Sequence, residues 1–364
     1  MPRSKQIIYK QRGLLADLLA MFAVVIWFTS CEKAPTSSVP KGPKWVVYQA
    51  GSGSIANNIV NCVFTDEENN VWFGTNNGAS SFKQNLWTTR YDSLSGNAVT
   101  CITEEKDGSL WFGLAGGGVL RFNKLSPTQA WIRYTEPALP SNTVISIGAE
   151  QQELGEVWAG TDFGIGRFVP TDNPTNINQG VWTTHTEQND SLHVPVNFVG
   201  AIALNPIDNS IWLGVGSLQV ESYDIDDNRW GVIYPLPPQV QATITSIAFD
   251  NTDHAWVGTY VGVGVLNVNT SVWEHYYTAQ DPATKGDFPN SPVNCVTTDL
   301  VSNRWFGTNS GLVELNGTTW TLYTQENSML PSNVVRGVGY DRNGNLWIAT
   351  SNGVAAYNPL GTFF

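Results

Sequence analysis

Four histidines, five recurring acids and four cysteines are the residues of this 364-residue chain whose types could do chemistry. His185 and His275 fall inside strand-like runs, near where other copies of the run have Tyr. His254 lies in a polar turn close to Trp256, and His193 in a long loop. Asp66, Asp107, Asp250, Asp299 and Asp341 recur in short polar turns, where acids are expected as solvated turn caps. Two carboxylates could work as acid and base, but nothing in their spacing singles out a pair. No HExxH, GxSxG or phosphate-loop pattern appears. There is no CxxC and no Cys/His cluster, so no metal site, no cofactor and no catalytic residue is expected. Cys62, Cys101 and Cys295 share one repeat position that elsewhere holds Ser146, Ala201, Ser246 and Gly337. A small buried residue explains that position, and equivalent positions of neighbouring repeats lie too far apart for a disulfide.

What must position these residues is a repeat. The phrase Val71-Trp72-Phe73-Gly74-Thr75 returns around Trp111, Trp158, Trp212, Trp256, Trp305 and Trp347, at steps of 39, 47, 54, 44, 49 and 42 residues. A period of roughly 40–50 residues built from strand-like runs denotes a propeller. Each copy divides into four runs. An Asn-x-Val-like strand comes first, as in Asn58-Ile59-Val60. The tryptophan phrase is second, and a run opened by glycine, such as Gly353-Val354-Ala355-Ala356-Tyr357, is third. The fourth begins with a further tryptophan: Trp87, Trp131, Trp182, Trp230, Trp273 or Trp320. β-Branched and aromatic residues dominate the runs, and Gly, Asn, Asp and Pro bound them. The tryptophans suit packing between blade faces rather than a sugar-stacking platform. The glycine after each is expected where inner strands crowd near the axis.

Of the 15 tryptophans, Trp27 lies in the leader and Trp45 precedes the first copy. Trp45-Val46-Val47-Tyr48 reads like a fourth strand, and the last copy lacks one. The expectation is an all-β, seven-bladed propeller over 45–364. Four-stranded blades make it up, and residues 45–49 complete the last blade and close the ring.

At these residues the chain resembles the two-component regulator propeller repeat, whose pattern runs Asn-x-Val-x-x-Ile and then Asp-x-x-Gly-x-Leu-Trp-x-Gly-Thr-x-x-Gly-Leu. Asn333 to Val338 and Asp341 to Val354 match it nearly throughout, with Ala349 for Gly. The second copy has Leu114 for Thr, and the fourth departs most, with Gly214-Val215-Gly216. The resemblance covers about residues 45–360. It implies the propeller fold and a setting like the periplasmic half of hybrid sensor kinases, often concerned with polysaccharide degradation products. Because the repeats run on to Phe364 rather than into a kinase, the capacity carried over is expected to be binding, not signalling. The repeats are also similar to propeller lyases that open cyclic antibiotics with a histidine and a divalent ion. Those have a different residue where this chain keeps Gly-Thr. That resemblance implies the alternative, an enzyme (lyase or hydrolase) using a loop histidine, for which His193 is the candidate.

Residues 1–30 read as an export leader: Arg3, Lys5, Lys10 and Arg12, then an apolar run from Leu14 to Trp27. The run is short for a spanning helix. Phe28-Thr29-Ser30-Cys31 resembles a lipoprotein cleavage site, with Phe28 where Leu is usual, and implies lipidation at Cys31. A signal-anchor helix, or cleavage with Cys31 as bystander, is the other reading. Residues 31–44, with Pro35, Pro40 and Pro43, suit a flexible tether in the bacterial envelope, facing the periplasm or the surface and outer-membrane anchored. Setting the leader charges aside leaves 15 basic and 30 acidic residues. An acidic body repels nucleic acid and anionic lipid, so no nucleic-acid partner is expected and membrane contact is by lipid only.

Binding is expected on the face that carries the turns between second and third strands and the connections between blades. Those connections differ in length, and His185 to Pro195 and Tyr277 to Pro292 are the longest. Asn76, Asn77, Asp162, Phe163, Tyr260, Asn309 and Asn352 occupy turns that should ring the axis there. Amides and aromatics suit sugar hydroxyls or peptide backbone, although asparagine also forms such turns for its own dihedrals. The favoured function is non-catalytic binding of an oligosaccharide or peptide, or scaffolding of an envelope protein partner.

Overall fold

Among the described residues, runs of Val, Ile, Trp and Phe bounded by Gly, Asn and Asp fold into 28 strands, grouped in seven four-stranded antiparallel sheets. The computed structural model describes residues 44–361 apart from 52–53, 90–92, 125–130, 152–154, 172–179, 191, 251, 285, 300–301 and 360. The expected leader, Cys31 and most of the tether lie outside the described residues. Two single 3-10 turns, Pro238–Val240 and Pro282–Thr284, accompany the strands.

Each sheet is one blade. Its first strand is innermost: Val60–Thr65, Val99–Glu104, Val144–Ala149, Val199–Leu204, Ile244–Phe249, Val293–Thr298 and Val335–Tyr340 in blades 1 to 7. Each innermost strand packs against the next, and that of blade 7 against that of blade 1, so the seven form a closed ring. Closure mixes the two ends of the chain. Lys44–Tyr48 is the outer strand of blade 7, antiparallel to Gly353–Asn358, with Trp45 opposite Tyr357 and Tyr48 opposite Val354. Trp45 lies 4.6 Å from Tyr357 and 5.8 Å from Tyr323, centroid to centroid. Pairing this edge leaves no blade with a free ladder at the joint.

The repeat motif now has physical reasons. The second-strand tryptophans pack into the neighbouring blade: Trp347 of blade 7 lies 4.9 Å from Phe82 and 5.5 Å from Phe73 of blade 1. The threonine after Trp-x-Gly ties the following turn. Thr75 Oγ1 donates to the Gly78 carbonyl at 2.8 Å and accepts from Asn77 N at 3.1 Å, and Thr161, Thr259, Thr308 and Thr350 repeat this. The motif glycine answers a side chain rather than a backbone. A Cβ on Gly74 would lie 2.5 Å from Cys62 Sγ and 2.7 Å from Val99 Cγ1. The register pairs Cys62 with Gly74, Cys101 with Gly113 and Cys295 with Gly307. In blade 7 the order is reversed: Ala349 stands opposite Gly337, so the pair keeps one small partner. The three cysteines are free, and burial pushes the thiols of Cys101 and Cys295 up to about 12.

The turn acids correct an expectation. Three are not solvated caps: Asp66, Asp250 and Asp341 are buried, and each accepts from the indole N–H six residues on. The distances are 3.0 Å from Trp72, 2.9 Å from Trp256 and 2.9 Å from Trp347. Asp299 does the same for Trp305 at 3.4 Å. In blade 2 the acceptor is Glu105, 2.7 Å from Trp111 Nε1, while Asp107 bonds Arg121. A buried indole needs an acceptor, and a turn acid at this spacing supplies one.

Candidate functional site

Every blade carries the same irregularity. The register shifts between Val60 and Cys62, Val99 and Cys101, Val144 and Ser146, Val199 and Ala201, Ile244 and Ser246, Val293 and Cys295, and Val335 and Gly337. One residue per blade is therefore extruded from the ladder as a bulge, which re-aims it. These residues are Asn61, Thr100, Ile145, Gly200, Thr245, Asn294 and Arg336, and all seven line an axial cavity of about 440 Å3.

Most of the bulge residues tie adjacent blades. Asn61 Nδ2 donates to the Val99 carbonyl at 2.9 Å and Thr100 Oγ1 to that of Val144 at 2.8 Å. Thr245 Oγ1 donates to the Val293 carbonyl at 2.5 Å and Asn294 Nδ2 to that of Val335 at 2.7 Å. In blade 3, where Ile145 cannot donate, Ser146 Oγ reaches the Val199 carbonyl at 3.1 Å. Gly200 offers no side chain, and an added Cβ would run into the Ile244 carbonyl. Arg336 departs from the pattern: its Nη1 donates to Asn61 Oδ1 at 3.3 Å.

The expected site residues are all exposed and all lie in second-to-third-strand turns, but they do different things. Tyr260 lines the cavity. Asn76 and Asn309 border it: each amide oxygen accepts from a lining asparagine, Asn61 at 3.0 Å and Asn294 at 2.8 Å. Asn77 ties the connection to the next blade, its Oδ1 accepting from Gly96 N at 2.8 Å, and Asn352 Nδ2 donates to the Pro331 carbonyl at 3.3 Å. Asp162 and Phe163 stand on the blade 3 turn without lining the cavity. Sequence reasoning missed the bulge residues. Their signal was present as the one freely varying position between the invariant β-branched residue and the small residue of each first strand.

The histidines are engaged elsewhere. His185 Nδ1 lies 3.0 Å from Asp190, His254 Nε2 3.0 Å from Glu274, and His275 Nε2 2.9 Å from Asp281. His193 pairs through Nδ1 with Glu221 and stacks on Trp230, with ring centroids 4.4 Å apart and planes 6° apart. The candidate loop histidine is thus held from one edge and one face. Burial pushes the Glu221 carboxyl up to about 7, against the opposing pull of His193. Among the described residues no three His, Cys, Asp or Glu side chains gather as metal ligands.

Comparison with known proteins agrees with this architecture. The family described as two component regulator propeller matches residues 54–77, 93–116 and 329–352, so the chain carries that repeat at three places. The extracellular domain of a putative hybrid two component system from B. thetaiotaomicron is similar, with a TM-score of 0.71 and 22% identity over 87% of this chain and 41% of that one. A streptogramin B lyase has a TM-score of 0.68 at 17% identity, over 87% of this chain and 98% of its own. The virginiamycin B lyase from Staphylococcus aureus gives 0.65 at 16% identity, over 87% and 98%. At these identities the likeness is one of fold. The chain spans about two fifths of the length of the sensor domain it matches. No curated protein sequence matches the chain.

Proposed function

We propose that this propeller, carrier of two component regulator propeller repeats, is a non-catalytic binding module outside the cytoplasm, and that its ligand seats at the axial mouth. The observation that carries the reading is the axial cavity of about 440 Å3, lined by one extruded residue from each blade and bordered by Asn76, Asn309 and Tyr260. A scaffold that repeats seven times while its axial residues vary from Asn to Arg to Ile places its specificity there. Asparagine amides and a tyrosine ring suit a saccharide, which offers hydroxyls at its edges and C–H groups on its faces. An oligosaccharide is therefore the favoured ligand, ahead of a peptide. None of the four histidines is among the described residues lining the axial cavity, which favours binding over catalysis there. The leader and Cys31 support export and a lipid anchor, and the similar sensor domain, itself extracellular, fits that address. An envelope protein partner would reach the same face through the longer connections.

Thermal-shift and calorimetric titration of the purified protein with short neutral and acidic oligosaccharides tests the reading. A ligand at 100 times its dissociation constant should stabilise by about 2.7 kcal/mol. Binding that survives Tyr260→Ala and Asn309→Ala unchanged would place the ligand elsewhere. Cys31→Ala should release the protein from the membrane fraction, and a variant that stays there would overturn the anchor.

A further inference from the structure

The donors at the axial mouth are arranged in one sense. Blade 7 lies between blades 6 and 1 in the ring, so Arg336 stands between two matching asparagine pairs, Asn294–Asn309 and Asn61–Asn76. In each pair the inner asparagine spends both Nδ2 protons. Asn61 donates to Asn76 Oδ1 and the Val99 carbonyl, and Asn294 to Asn309 Oδ1 and the Val335 carbonyl. The outer amide oxygens therefore face the inner asparagines, and the Nδ2 groups of Asn76 and Asn309 make no hydrogen bond among the described residues. Arg336 uses one guanidinium donor of five, on Asn61 Oδ1, and has no carboxylate partner among the described residues.

This corner offers donors and no competing carboxylate. Arg336 is the sole charged residue among the described residues lining the cavity, in a chain whose formal charge is −12. An acidic body that leaves one guanidinium unpaired at its axis, flanked by two turned-out amides, presents a local charge that a bound anion would satisfy. The position departs from structural use as well. Four other blades use this bulge residue to tie the next blade's backbone, and Arg336 does not. One guanidinium with neutral amide donors matches a single negative charge carrying several acceptor lone pairs. The facing wall, Ile145 of blade 3 and Phe198 beside blade 4, is apolar.

We infer that the axial mouth is a subsite for a monoanionic group, a carboxylate or a sulfate ester, borne on a saccharide ring and received by Arg336, Asn76 and Asn309. The inference rests on the proposed axial binding and deepens it.

The experiment is calorimetric titration of the purified protein with three probes: digalacturonate, galactose 6-sulfate and neutral galactobiose. At least one anionic probe should bind ten-fold or more tighter than galactobiose, and which one does so separates carboxylate from sulfate ester. Arg336→Gln should erase that preference, Arg336→Lys should keep part of it, and Asn76→Ala with Asn309→Ala should weaken the anionic probe alone. Arg336 is exposed, so the fold should survive, and an unchanged melting curve for each variant checks this. Equal affinity for the neutral and anionic probes, or a preference that persists in Arg336→Gln, overturns the inference while leaving axial binding intact. If no probe binds the wild-type protein, the inference and the saccharide reading fall together.

Discussion

Asp250 carries a prediction that reaches between two blades. Its Oδ2 accepts from Trp256 Nε1 at 2.9 Å within blade 5 and from Arg304 Nη2 at 2.7 Å in blade 6. Its Oδ1 accepts from Thr252 N and Oγ1, both at 2.8 Å, and from His254 N at 3.1 Å. Arg304 also lies over the Trp256 ring, 5.1 Å from its centroid. Asp250→Asn keeps the shape, removes the charge and turns an NH2 toward donors. Hydrogen bonds to a charged group contribute ~1.5–3 kcal/mol each, and the two bonds at Oδ2 are the ones lost, so the expected cost is about 3–6 kcal/mol. Urea unfolding followed by tryptophan fluorescence at neutral pH reads this directly. Acid adds a second reading. Burial by itself would raise the Asp250 carboxyl, but the Arg304 guanidinium, the Trp256 indole and Thr252 outweigh it and hold it well below the usual carboxylate range. A depressed carboxyl contributes stability above its unfolded value of about 3.9 and loses it as pH falls through the folded value. The gap between wild type and Asp250→Asn should hold from neutral pH down to about 4 and narrow below. A gap under about 1 kcal/mol at neutral pH, or one that keeps its full size at a pH of about 2.5, would refute the reasoning.

Other perturbations follow from the same contacts. Gly74→Ala should destabilise by about 1–3 kcal/mol through Cys62 and Val99, and adding Cys62→Gly, which copies the Gly337–Ala349 order of blade 7, should recover part of the loss; equal stability of all three proteins would remove the small-pair account. Deleting residues 44–48 should lower the melting temperature far more than loss of a surface strand, because it opens the ladder of Gly353–Asn358 and uncovers Tyr357; unchanged melting would contradict ring closure. Glu221 and Glu105 are raised to about 7, both mainly by burial. A folded value above the unfolded one of about 4.3 means that stability falls as pH rises between the two. The protein should therefore melt higher at a pH of about 5 than at about 8, and Glu221→Gln with Glu105→Gln should flatten the difference; a profile that both variants leave as steep as before would sink the assignment.

Much of the axial site stayed out of reach of the sequence, for a geometric reason. Asn76 and Asn309 were visible as turn residues, yet so were Asn77 and Asn352, and nothing along the chain separates an asparagine that ties a connection between blades from one whose NH2 is left free. That difference depends on Asn61 and Asn294, 15 residues before Asn76 and Asn309 respectively. Likewise Arg336 reads as an ordinary surface arginine until the bulge between Val335 and Gly337 turns it to the axis. Asp66, Asp250 and Asp341 were misread because an acid beside Gly and Asn looks solvated. Its burial comes from the tryptophan six residues on, which brings its N–H to the carboxylate.

The sequence by itself determined the blade count, the strand order within each blade and the closure by Trp45. Each is a matter of period and of one tryptophan too many at one end and too few at the other. Strand periodicity and turn chemistry are local, so they can be read along the chain. Only the tertiary structure decided what meets at the axis. There seven strands from distant segments each extrude one residue into one cavity, and the partners of Arg336, Asn76 and Asp250 come from separate strands or neighbouring blades. Hydrogen-bond direction and exposure at such a junction depend on every blade at once, which no single repeat encodes.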